Sequence, residues 1–129
     1  MSEKKPKVVL IVDDEPVTQL MVTVILQRKN FVVITANDGQ DALDKLINAD
    51  IDLVLADVNM PKMGGLKLLQ QMRSDGRFQN LPVIMFTAQG QRQIQSDAIT
   101  QGATDFLTKP FSSSKLADMV HHHLVPTAI

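Results

Sequence analysis

Five short apolar runs, separated by five stretches of helical period, constrain what this 129-residue chain can fold into. The runs occupy residues 8–12, 31–35, 53–56, 83–87 and 103–107. Most are rich in β-branched or aromatic residues and are bounded by turn formers, so they read as strands. Several are apolar without alternation, the pattern of a strand buried on both faces. Between them, Pro16 suits a first helical position, and Val17, Leu20, Met21 and Val24 recur at i, i+3, i+4 and i+7 as an expected core stripe. Asn37 or Asp38 can cap a second helix, with Ala42, Leu43, Leu46 and Ile47 expected to face inward. Leu66, Leu69 and Met72 mark a third helix, ending near Ser74-Asp75-Gly76. Ile94 and Ala98 mark a fourth that closes at Gly102, and Leu116, Val120 and Leu124 mark a fifth. Strict alternation predicts an α/β domain, an open five-stranded parallel sheet with helices on both faces. Alternation does not supply the strand order.

Composition removes several functions. The chain has no cysteine, which excludes disulfides and thiolate metal or redox chemistry. A formal net charge of −1 leaves no electrostatic footprint for nucleic acid or an anionic membrane. No run approaches the ~18 apolar residues of a membrane span, and no secretory signal precedes residue 8, so a cytoplasmic protein is expected. Phosphate-binding glycine loops, whether G-x-x-x-x-G-K-[ST] or G-x-G-x-x-G after a strand, are also missing.

The polar residues carry the functional signal through their positions. Asp13 and Asp14 follow the first expected strand and Asp57 follows the third. Thr87 closes the fourth, and Lys109 lies just past the fifth. All five therefore fall at strand carboxyl ends, the edge where open α/β sheets bind ligands. Two unit charges ~4 Å apart at an effective dielectric of ~20 interact by about 4 kcal/mol, so three gathered carboxylates repel strongly. A divalent cation relieves this, and an oxygen-only donor set without His or Cys suits Mg²⁺ with retained waters. Lys109 offers a point charge and Thr87 a hydroxyl donor, both fitted to phosphoryl oxygens. The remaining role is a nucleophile, which a carboxylate fills by forming an acyl phosphate.

Taken together, Val12-Asp13-Asp14-Glu15, Asp57-Val58-Asn59-Met60-Pro61, Gly64-Gly65-Leu66, Phe86-Thr87-Ala88 and the run Gly102-Ala103-Thr104-Asp105-Phe106-Leu107-Thr108-Lys109-Pro110-Phe111 resemble the response-regulator receiver domain. That domain is the phospho-acceptor module of two-component signalling, chemotaxis regulators included. The resemblance implies strand order 2-1-3-4-5 in a doubly wound (βα)5 domain over residues 7–125, with 1–6 an N-terminal extension and 126–129 a tail. It implies that Asp57 is the phosphoacceptor. It makes Asp13, Asp14, Asp57 and the backbone carbonyl of Asn59 the Mg²⁺ ligands. Lys109 pairs with the carboxylate or phosphoryl group, Thr87 moves to bind the phosphoryl oxygen, and Phe106 is the ring that turns on activation. That position is often Tyr; Phe cannot donate a hydroxyl hydrogen bond. Asn59 and Gln89 are the positions that tune acyl-phosphate lifetime, and Pro110 sits where the family commonly has a cis bond.

The implied donor is a sensor histidine kinase or a phosphotransfer protein. The implied output is an unidentified protein that reads the face of the fourth helix, fifth strand and fifth helix, with no direct nucleic-acid or membrane contact. The protein is expected to be a monomer or a phosphorylation-dependent dimer that catalyses its own phosphotransfer and dephosphorylation without turnover of a substrate. The start at Met1 and the tail from Val125 to Ile129 fit a stand-alone regulator. The alternatives are a receiver excised from a hybrid kinase or larger regulator, and a receiver-like module that binds without phosphorylation. An aspartate phosphohydrolase of the haloacid dehalogenase type is a third, but it wants an acid two residues after the nucleophile, where Asn59 stands.

Each residue also has a plain structural reading. Asp14-Glu15-Pro16 can simply favour a helix start, Asp57 can be a turn residue, Thr87 a strand end and Phe106 core. His121, His122 and His123 are adjacent on a helix, point about 100° apart, and cannot share one metal site. They are expected to place partial positive charge at a helix C-terminus. Met60, Met63 and Met72 read as packing filler.

Overall fold

In the computed structural model, the described residues are 5–60, 63–88 and 90–124. Residues 1–4 of the expected extension, Pro61, Gln89 and the tail 126–129 lie outside them. Ten elements alternate in the order β1 (Val8–Val12), α1 (Pro16–Gln27), β2 (Val32–Ala36), α2 (Gly39–Asn48), β3 (Leu53–Asp57), α3 (Gly65–Arg73), β4 (Val83–Ala88), α4 (Arg92–Thr100), β5 (Asp105–Lys109) and α5 (Ser113–Leu124). The five strands form one sheet in the order β2-β1-β3-β4-β5, every pair parallel. The winding direction reverses at β1 and β3, whose carboxyl ends carry Asp13 and Asp57.

Period-two alternation along the central strands feeds two separate cores. Val9 and Ile11 of β1 face α1 and α5, with Val22, Leu26, Leu53, Leu55, Ile84, Phe86, Leu107, Leu116 and Val120. Leu10 and Val12 face α2, α3 and α4, with Ala42, Leu46, Leu68, Leu69, Met72, Met85 and Ala98. Both cores are desolvated, which is why β1 and β3 read as continuous apolar runs rather than alternating ones. Met72 is fully buried, and Met60 and Met63 pack against the second core as expected.

Asp38 caps α2 by accepting a hydrogen bond from the Asp41 N–H at 2.9 Å. Gly102 follows α4 with φ +104°, the left-handed exit that glycine adopts freely. Among the described residues, no helix is long and apolar enough to cross a membrane.

Four expectations are corrected. The stripe Val17, Leu20, Met21 and Val24 faces outward: these residues are 78%, 66%, 43% and 38% exposed. The buried residues of α1 are Val22 and Leu26, on the opposite side. The helix has no charged residue, so apolar periodicity exists on both faces and did not discriminate between them. Ile47, expected inside, is 57% exposed at the end of α2. Strand β2 starts at Val32, because the Phe31 N–H still bonds back to Leu26 as the exit of α1. Strand β5 runs from Asp105 to Lys109, two residues later than the apolar run suggests. The Ala103 N–H closes onto Ala98 of α4, while Thr108 and Lys109 pair with Thr87 and Ala88. Backbone pairing thus draws two polar residues into the strand.

Candidate functional site

Strand ends place the polar residues on one rim. Asp13 immediately follows β1 and is fully buried, while the neighbouring Asp14 is exposed. Asp57 is the last residue of β3 and Lys109 the last of β5. The Lys109 Nζ donates to Asp57 Oδ2 at 2.8 Å and to Asp13 Oδ2 at 3.1 Å. It also lies 3.6 Å from Glu15 Oε1. The ammonium therefore joins residues 96 and 52 positions apart in sequence. One carboxylate oxygen from each of Asp13, Asp14 and Asp57 lies within 4.8 Å of the other two.

The two buried carboxylates divide their oxygens in the same way. Asp13 Oδ1 accepts the Glu15 N–H at 2.9 Å, and Asp57 Oδ1 accepts the Asn59 N–H at 2.9 Å. These local turns fix each carboxylate and leave the second oxygen aimed at Lys109. Gln19 of α1 adds support, donating to the Asp13 carbonyl and to Asn37 Oδ1 at 3.0 Å. Behind Asp57, the Gly65 N–H bonds to the Val58 carbonyl at 3.2 Å. A Cβ at Gly65 would overlap the Asp57 carbonyl oxygen, so only glycine lets α3 start this close to the strand.

The electrostatics follow from burial. Asp13 has a pKa raised above the ordinary 3.8: burial penalises its charge more than the Glu15 N–H and Lys109 favour it, and Asp57 adds repulsion. Lys109 has a pKa raised above 10.5: burial pulls it down, but hydrogen bonds and attraction from Asp57 and Asp13 outweigh that. Three carboxylates, those of Asp13, Glu15 and Asp57, face the Lys109 ammonium, and Asp14 adds a fourth beside Asp13 and Asp57. Such an acidic, oxygen-only donor set, with the exposed Asp14 on its open side, fits a hard divalent cation.

Thr87 is buried near the end of β4 and directly pairs with Thr108 of β5. Its hydroxyl meets Gln95 of α4 at 3.1 Å. Phe106 is half-buried against the core shared by α2, α3 and α4. The Lys109–Pro110 peptide is cis. Asn59 is exposed. Asp13, Asp14, Asp57 and Lys109 are brought together, and Thr87 stands one rung from Lys109 along β4–β5.

Sequence reasoning missed the roles of Glu15, Gln19 and Gln95. Glu15 carried a signal, since it extends the acidic run after β1. The two glutamines carried none, because their contacts depend on how α1 and α4 pack. His123 also makes an unexpected contact, its Nε2 lying 3.0 Å from Asp105 Oδ2 and tying the end of α5 to the start of β5.

A family model described as a response regulator receiver domain matches residues 9–121. The chain is 35% identical over 111 residues to the chemotaxis protein CheY1 of Helicobacter pylori, covering 84% of this chain and 90% of that protein. It is 34% identical over 113 residues to hybrid signal transduction histidine kinase D of Dictyostelium discoideum, covering 88% of this chain but only 7% of the kinase. Among solved structures, the chemotaxis protein CheY4 of Vibrio cholerae superposes with a TM-score of 0.88 at 32% identity, covering 93% of this chain and all of that one (100%).

Proposed function

Because the chain belongs to the response regulator receiver family of two-component systems, we propose that Asp57 accepts a phosphoryl group from a phosphohistidine donor, with Mg²⁺ required. The observation that carries this reading is the Lys109 ammonium held between Asp57 and Asp13 on an otherwise acidic rim. Asp57 supplies the attacking oxygen. The donor's P–N bond breaks as the Asp57 O–P bond forms, and imidazole leaves. Asn59 N–H and Lys109 hold the carboxylate in line, which is most of what phosphoryl transfer asks of a protein. Mg²⁺ held by Asp13, Asp14, Asp57 and the Asn59 carbonyl would spread the charge of the transferring oxygens.

The product carries about −1.5 to −2 charges at pH 7, placed beside Lys109 and Thr87. Thr87 then turns its hydroxyl to the phosphoryl oxygen and Phe106 repacks, altering the face of α4, β5 and α5. The output is a population shift between two packings. We place that output in a separate partner protein in the cytoplasm, with residues 7–125 as the working unit; the support is that the chain spans 90% of a relative named as a chemotaxis protein. The donor approaches over the exposed apolar stripe of α1, where Met21 meets Lys109, Pro110 and Phe111 around a shallow pocket.

The decisive experiment is labelling with radioactive acetyl phosphate. Wild type takes up hydroxylamine-labile phosphorus label only with Mg²⁺ present, and chelator added beforehand prevents the uptake. Asp57→Ala takes up none. Stable acyl-phosphate label on Asp57→Ala refutes the assignment.

A further inference from the structure

Thr87 and Thr108 sit opposite each other on the paired strands β4 and β5, on the side facing α4. Gln95 lies over both. Its Nε2 donates to Thr87 Oγ1 at 3.1 Å and to Thr108 Oγ1 at 3.3 Å. Thr87 is 1% exposed, so its hydroxyl depends on protein partners, and among the described residues that partner is Gln95 rather than Asp57. The helix that carries Gln95 is lightly anchored. It has nine residues, its buried residue is Ala98, and its N-cap makes no side-chain hydrogen bond into the helix. Gln91 at the N-cap bonds to Ala88 at the end of β4, and within the helix the Gln95 amide is the polar tie to the strands bearing Thr87 and Lys109.

We propose that Gln95 is a positioning residue that latches Thr87 and Thr108 to α4, setting how readily the domain switches. The inference rests on the acceptor role proposed for Asp57. The Gln95 amide donates to Thr87 Oγ1, whereas a phosphoryl oxygen at Asp57 accepts the Thr87 O–H, so the two oppose each other through the direction in which Oγ1 is turned. When Thr87 turns to the phosphoryl group, Gln95 keeps Thr108 alone, and the middle of α4 is held less tightly while its N-cap Gln91 stays bonded to Ala88 at the end of β4. The latch thus opposes activation before phosphorylation and releases α4 afterwards. The opposing effect is worth one neutral hydrogen bond, about 2- to 12-fold in the switching equilibrium.

The test titrates beryllofluoride with Mg²⁺ into the full chain, following Thr87 and Ala88 amides by ¹H–¹⁵N NMR. Gln95→Leu keeps the volume and removes the donor. Its midpoint should fall about 2- to 12-fold below wild type, and its α4 amides should already lie toward their activated positions without ligand. Thr108→Val removes a bond that both states keep, so its midpoint should stay at the wild-type value. The double variant should match Gln95→Leu alone, because the Thr108 bond does not distinguish the two states. In wild type, the Gln95 side-chain amide resonances should move on titration.

An unchanged or raised midpoint in Gln95→Leu, with normal wild-type response, overturns the latch alone. A midpoint in Thr108→Val that falls as far as that of Gln95→Leu also overturns it. Absence of any response in wild type overturns the acceptor reading and the latch with it.

Discussion

Replacing Lys109 by Met keeps most of the side-chain volume and deletes the charge. The ammonium contacts Asp57 at 2.8 Å, Asp13 at 3.1 Å and Glu15 at 3.6 Å. At an effective dielectric of ~20, a contact near 3 Å amounts to about 5 kcal/mol of gross attraction, most of it offset by desolvation. Breaking a fully buried pair costs about 3–5 kcal/mol, since the partner is left charged and unpaired. Here Asp13 is fully buried but Lys109 is 25% exposed at its side chain and Glu15 64%, so roughly 2 kcal/mol is expected at neutral pH without metal. For a domain of this length that lowers Tm by roughly 6–10 °C.

Two conditions should erase the deficit. Saturating Mg²⁺ replaces the missing cation, so it should raise the Tm of Lys109→Met by more than that of wild type. Acid should do the same. The pKa of Asp13 is raised, so its ionisation opposes folding; the opposition is fully absent below the ordinary value of 3.8 and grows as pH rises through the higher folded value. Thermal unfolding by circular dichroism, with and without Mg²⁺ and across the acid range, measures all three effects. Equal Tm values for variant and wild type in chelator at neutral pH, with identical Mg²⁺ shifts, would refute the electrostatic account of the rim.

The raised pKa of Lys109 predicts the alkaline limb. Its contribution is complete below the ordinary 10.5 and lost as pH rises through the folded value, so wild type should lose urea resistance at alkaline pH with a slope that Lys109→Met lacks. Gly65→Ala drives a methyl group into the Asp57 carbonyl and to 2.6 Å from Met85 Cε, and should lower stability by about 2–3 kcal/mol and slow acetyl phosphate labelling; wild-type values for both would contradict the close approach. Leu20→Glu alters a residue 66% exposed, so unfolding should shift by no more than about 0.5 kcal/mol. Transfer from a phosphorylated protein donor should fall about tenfold while acetyl phosphate labelling is unchanged, and equal loss in both assays would rule out a docking role for α1.

What was legible in the sequence was whatever burial writes into residue type. The central strands β1, β3 and β4 are apolar on both faces, and the runs in sequence mark their starts at Val8, Leu53 and Val83. Chemistry was legible for a related reason. A buried acid such as Asp13 or a charged residue such as Lys109 at a strand end needs a partner, and sequence position shows where to look for one. Packing direction was not legible. Helix α1 could have presented either side to the sheet until Val22 and Leu26 found the space left by Ile11 and Leu55. The end of β5 was hidden because pairing, not hydrophobicity, extends the strand through Thr108 and Lys109.

That extension has a functional consequence. Had β5 stopped at Leu107, Lys109 would sit on a loop, free to follow any charge placed at Asp57. As the terminal rung opposite Ala88, it is fixed to the same ladder as Thr87 and Thr108. A phosphoryl group at Asp57 therefore meets an ammonium with little room to retreat and a hydroxyl with somewhere to go. In the proposed switch, the backbone of β4 and β5 stays paired while side chains change partners, which would confine the response to Thr87, Phe106 and the lightly held helix α4. On the proposed reading, stiff strands and one weakly anchored helix would turn a local charge at Asp57 into a change on a single face.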